Sequence, residues 1–225
     1  MYRYFIRFSK SDTICYISHL DLMRVFQRAM KKTGIRQSYS QGFNPHPKMG
    51  FGQPLSLGYT GLNEYMEFET DEDYEPEELL QRLSSVMPEG LDIAECRRLE
   101  VLKKTLAAVT EAAEYIISVP FRAGADISGD DMCDRFMSQD KIICLKKQKK
   151  KKDLAEVDIK PMIRNLVFSL EDTGLSITAM LDSGSTSNLS PELLIDAICR
   201  FFGIDTGRNE IEVVRTRIIF NQEIK

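Results

Sequence analysis

The sequence predicts an α+β chain built as two tandem ferredoxin-like (βαββαβ) domains, each an antiparallel sheet with helices on one face. Three observations predict it. Short segments with the two-residue alternation of strands recur along the chain, capped amphipathic segments fall between them, and the order β-α-β-β-α-β occurs twice. At 225 residues, two small domains fit the usual range of roughly 100–200 residues each. The expected boundaries are 1–105, with a Gly/Pro-rich loop, and 106–225, with a Lys-rich hairpin. Residues 100–112 are the expected junction. The duplication is one of element order, with no residue-level repeat.

In the first half, residues 3–9 alternate as a strand. A helix then starts at Ser18, a good N-cap, with Asp21 three residues on in a near capping-box pattern. Ile17 and Leu22 stand at the two positions of a hydrophobic staple. Leu20, Met23, Phe26 and Met30 give an apolar stripe, and Gly34 stops the helix. Residues 38–48 read as loop and 49–57 as a possible strand. Residues 65–69 alternate again, Pro76 opens a helix running to about Val86, and 91–99 is a strand. In the second half, strands are expected at 115–119, 141–145, within 158–170, at 175–181 and at 212–220. Helices are expected at 129–138 and from Ser190-Pro191 to Phe202, the latter ended by Gly203.

Composition narrows the function classes. Hydrophobic residues make up 43%, enough for packed cores and against global disorder. The first residues, Met1-Tyr2-Arg3-Tyr4-Phe5-Ile6-Arg7, are broken by arginine and do not make a signal peptide, and no run reaches the ~20 apolar residues of a membrane helix. A soluble cytoplasmic protein with no membrane contact is therefore expected. The five cysteines form no C-x-x-C pair, so neither a zinc ribbon nor an iron–sulfur cluster is signalled, and no cofactor is called for. Net charge is −4 overall, yet residues 1–60 hold nine Lys/Arg against two Asp/Glu, whereas residues 61–95 hold one Arg against twelve acids. A basic N-terminal third suits polyanions.

The candidate chemistry gathers there. Ser18 and His19 open a helix, whose free N–H groups favour an anion, and His19 is also a candidate acid or base. Arg24, Arg28 and Lys31 form one basic stripe suited to phosphate contact or to a solvated face. Gly42-Phe43-Asn44-Pro45-His46-Pro47-Lys48 is a stiffened loop. Glycine permits positive φ, the prolines restrict the chain, and Asn44, His46 and Lys48 present polar groups. Phe43 or Phe51 can stack on a base; the alternative is a structural Ω-like loop with Phe43 packed inward. His19 and His46 are the only histidines. Metal binding by this pair with Asp21 is not required by the spacing. No P-loop or dinucleotide fingerprint is present, because Gly50-Phe51-Gly52 lacks the third glycine and the following helix. Lys146, Lys147 and Lys149 to Lys152 form a basic run, read as a phosphate-contacting hairpin tip or as a solvated loop; Lys160 or Arg164 would extend a basic groove, the alternative being that Asp158 simply caps a turn.

The stretches Tyr16-Ile17-Ser18-His19-Leu20-Asp21-Leu22-Met23-Arg24 and Tyr39-Ser40-Gln41-Gly42-Phe43-Asn44-Pro45-His46-Pro47-Lys48 resemble a bacterial family, the radical-SAM-associated (radical-SAM-linked) domain of unknown function. The resemblance extends through Pro54-Leu55-Ser56-Leu57-Gly58, Asn63-Glu64-Tyr65 and Val157-Asp158-Ile159-Lys160-Pro161. It implies a companion of a radical-SAM protein. Its members are often encoded near ribosomal-protein and ribonuclease genes, which implies a role near RNA. The tandem element order also resembles the CRISPR repeat-processing RNA-binding superfamily, a likeness of fold that does not fix function.

Three functions are therefore expected in this order. The first is a non-catalytic protein that binds tRNA or ribosomal RNA beside a radical-SAM partner. The second is a metal-independent RNA-cleaving or RNA-modifying enzyme using His19 or His46. The third is a pure protein-interaction module.

Overall fold

The computed structural model describes residues 1–100, 103–121, 127–147, 154–172 and 174–224. It is a mixed α+β structure dominated by antiparallel strand pairing. The chain divides into two compact units. The first comprises Met1–Glu111 with Arg215–Lys225, and the second Ala112–Val214. The expected division at 105 has no place for that return of the last residues to the first unit, because a linear boundary cannot represent it.

The first unit begins with β1 (Tyr2–Lys10), a short 3-10 turn (Asp12–Tyr16) and α1 (His19–Lys32). There follow β2 (Met49–Phe51), β3 (Thr60–Thr70), α2 (Pro76–Ser84), β4 (Leu91–Arg98) and the short α3 (Leu106–Val109). The strand order is β4-β1-β3-β2, with every pair antiparallel. Residues 215–220 also lie beside β3, where the Asn63 side-chain amide donates to the Thr216 carbonyl at 2.8 Å.

Strand alternation explains the core. Tyr4, Ile6 and Phe8 of β1 face α1 and α2, where they meet Phe26, Met30, Leu79 and Leu83, all essentially buried. Phe5 faces the other way, onto Leu99, Leu106 and Val109, so both faces of β1 are covered. Along α1 the buried positions are Leu22, Phe26, Ala29 and Met30, at helical spacing. Leu20 is 63% exposed, and Leu22 is buried instead; Phe26 and Met30 are buried as expected, with Met23 packed against the same core. Ile17 packs against the same core, as a staple residue should.

The second unit contains β5 (Thr110–Pro120), whose first residues belong to the first unit, and α4 (Gly129–Met137). It continues with β6 (Ile143–Lys147), β7 (Leu154–Asp158), β8 (Ile163–Glu171), β9 (Gly174–Asp182), α5 (Pro191–Phe202) and the start of β10 (Glu212–Phe220). Strand β9 sits between β5 and β8. The expected strand at 141–145 does not join them. It pairs with β7 as a separate two-stranded sheet, and β8 takes the place beside β9. Phe136 of α4 and Phe168 of β8 are buried, and the partly buried Phe202 of α5 packs against both. Among the described residues, no helix is long and apolar enough to cross a membrane.

Candidate functional site

The start of α1 is capped locally. The Asp21 N–H donates to Ser18 Oγ at 3.2 Å, the Ser18 hydroxyl donates to the Asp21 carboxylate at 2.6 Å, and Arg24 pairs with Asp21 at 2.7 Å. The Ser18 hydroxyl, then Arg24, holds the Asp21 carboxyl below its usual range. Both candidate groups, Ser18 and Arg24, are thus engaged with Asp21, which already supplies the negative charge that a helix N-terminus favours. Arg28 and Lys31 are exposed on the same helix.

His19 is half-buried, its ring against the Phe51 edge at 5.0 Å. Burial, and secondarily the Lys10 ammonium, pushes its imidazole below the usual value of 6.5. Lys10 is the unexpected neighbour. Its side chain is 2% exposed and donates to the carbonyls of Cys15 at 3.2 Å and Ile17 at 3.3 Å. These carbonyls end the 3-10 turn that leads into α1, so Lys10 ties β1 to the entry of the helix. Burial lowers its pKa as well. Close by, Glu64 (3% exposed) and Arg215 (1% exposed) form a buried ion pair. Arg215 Nε donates to Glu64 at 2.8 Å, and the guanidinium also donates to the Gln53 carbonyl at 2.7 Å.

Lys10 could have been found from the sequence. Tyr4, Ile6, Phe8 and Lys10 share one face of an alternating strand, so a lysine falls at a core position. The Glu64–Arg215 pair could not, because its partners are 151 residues apart.

The loop after α1 is braced at its neck. The Ser40 N–H donates to the His46 carbonyl at 2.8 Å, the His46 N–H to Ser40 Oγ at 2.9 Å, and the Lys48 N–H to the Ser38 carbonyl at 2.8 Å. Gly42 takes φ +132°, a conformation that side-chain-bearing residues avoid. Phe43, Asn44 and His46 are exposed, Phe43 completely so. Phe43 is not packed inward, against the Ω-loop alternative. Lys48 pairs with Glu69 at 2.8 Å.

The two histidines are held differently. His19 rests on Phe51 at the end of β2, whereas His46 stands on the loop before that strand. Among the described residues, neither a hydrogen bond nor a ring contact joins them. Lys160 lies in the second unit, where its amine donates to the Gln139 carbonyl at 2.6 Å. Asp158 caps the turn there, accepting the N–H groups of Ile142 at 3.0 Å and Lys160 at 3.1 Å. Arg164 pairs with Asp182 at 2.6 Å. Of the basic run, Lys146 is exposed, and Lys149 to Lys152 lie outside the described residues. Among the described residues, no group of three or more His, Cys, Asp or Glu side chains is placed to hold a metal ion.

No curated protein matches the chain. Residues 3–191, which include α1, the braced loop and most of both units, match the family model described as an uncharacterized protein conserved in bacteria, DUF2344, and the chain belongs to that family.

Proposed function

We propose that the protein is a non-catalytic RNA-binding companion of a radical-SAM protein, acting on tRNA or ribosomal RNA through its first unit. The observation that carries this reading is Phe43: an aromatic ring held fully in solvent at the tip of a loop whose neck is closed by hydrogen bonds. Exposing such a ring is unfavourable unless something covers it, and a stacked base is one cover that tolerates any sequence. Exposed Arg28 and Lys31 add phosphate-attracting charge on α1. The radical-SAM partner rests on the family resemblance of the two N-terminal motifs. The strand order β4-β1-β3-β2 supports a ferredoxin-like first unit, and β5-β9-β8 supports the same order, interrupted by a hairpin, in the second.

The test is binding of single-stranded RNA at low salt to the whole chain and to Phe43→Ala. The expected loss on substitution is about 1–3 kcal/mol, the worth of one stacked base. Equal affinity of the two proteins overturns the stacking role.

A second reading is favoured by His19 alone. Burial, and then the Lys10 ammonium, lowers its imidazole pKa, which favours the unprotonated form a general base requires. It demands that His19→Ala abolish RNA turnover while binding survives.

A further inference from the structure

The first unit contains a hollow of about 380 Å³ on the sheet face away from α1 and α2. Strand register explains why it is there. Arg3, Glu69 and Lys48 form one row across β1, β3 and the lead into β2. Phe5, Glu67 and Gly50 form the next row. Gly50 leaves the end of that second row without a side chain, and a Cβ built there would meet no atom within 4 Å. The Gly50 backbone is therefore an open part of the lining, which Lys103, Thr105 and Ala107 complete.

The rim is polar and ordered. Glu67 accepts from Arg3 and from the Leu106 N–H at 2.9 Å. Arg3 also donates to the Lys104 carbonyl at 2.7 Å. Lys48 and Glu69 are paired yet each about one-third exposed, so both remain open to a ligand.

We infer that this hollow is a subsite for the flat heteroaromatic base of a nucleotide, and the inference rests on the RNA reading, which it deepens. A slot of this volume is in the range of small-molecule sites and far exceeds a bare anion, which Glu67 and Glu69 would also oppose. A purely aliphatic ligand would cover charged groups without hydrogen-bonding them. A base satisfies both conditions. It lies flat against Gly50, and its edge offers donors to the Glu69 carboxylate and acceptors to the Lys48 ammonium, while the exposed Lys103 in the lining suits the phosphate. Lys48, where the braced loop ends, is part of the hollow's lining.

The experiment titrates AMP, CMP, GMP and UMP into the whole protein and follows backbone amides by NMR. Shifts at Gly50, Thr105 and Ala107 are expected, and Gly50→Val should weaken binding by about tenfold or more. Valine suits a strand, and its Cβ meets open space, so the melting temperature should hold. Ala107→Leu adds bulk at another lining residue and serves if Gly50→Val does not fold. No shift at these amides, or nucleotide affinity unchanged by both substitutions, overturns the inference. RNA binding that needs Phe43 but ignores Gly50→Val removes the hollow and leaves the RNA reading intact. Nucleotide binding that Gly50→Val abolishes, in a protein without affinity for RNA, removes the RNA reading and keeps the hollow.

Discussion

At the scale of single residues, the buried charges of the first unit make the sharpest demands. Arg215→Met would leave the Glu64 carboxylate buried without its guanidinium. That should cost about 3–5 kcal/mol in chemical denaturation, and replacing Glu64 by Met as well should recover most of it. A loss under about 1 kcal/mol would mean that water reaches the pair. His19 gives a prediction with a sign. Its folded pKa is lowered by burial and then by Lys10, so between that value and 6.5 the unfolded chain binds more protons. Stability from this group is complete above 6.5 and falls as pH drops through the window below it. NMR titration should place the imidazole midpoint below 6.5, and Lys10→Met should move it up. A midpoint at or above 6.5 would show that the ring is neither desolvated nor near the ammonium. Lys10 was legible as an inward position of β1, whereas the Glu64–Arg215 pair needs a fold before it can be seen.

At the scale of elements, local chemistry predicts starts better than partners. Ser18, Pro76 and Ser190-Pro191 mark helices that begin as their capping residues require. Strand identity is harder. The sequence marks a strand near 141–145, but the pairing of Ile143–Lys147 with Leu154–Asp158 is a tertiary fact. The strand expected within 158–170 is β8, which starts only after the 3-10 turn Lys160–Met162, where Pro161 sits. One turn holds the end of β1 to the start of β4. The Ser11 N–H donates to the Gly90 carbonyl at 2.9 Å, and Gly90 has φ +84° with space for no Cβ, which would lie 2.6 Å from the Ser11 carbonyl oxygen. Gly90→Ala should therefore destabilise the fold by about 1–3 kcal/mol, read as a lower denaturation midpoint. An unchanged midpoint would mean that the turn can open without consequence.

At the scale of the whole molecule, the α+β class was legible because alternation and capping agree along most of the chain. The return of residues 215–225 to the first unit was not, since nothing local to the last strand names its neighbours. The candidate site was legible in part. The sequence pointed to α1 and the loop, and the structure gives them different tasks: Ser18, Asp21 and Arg24 close the helix start, while the loop carries Phe43 outward. His19 is half-buried beside Phe51 and Lys10, and His46 stands on the exposed loop.

The central claim is that this tip meets RNA. Ultraviolet crosslinking in cells, followed by identification of the modified peptide, tests it most directly. The account predicts tRNA or ribosomal RNA attached within residues 40–51, with the yield falling sharply in Phe43→Ala. RNA attached only elsewhere in the chain, or none above the level of an unrelated control protein, would contradict it.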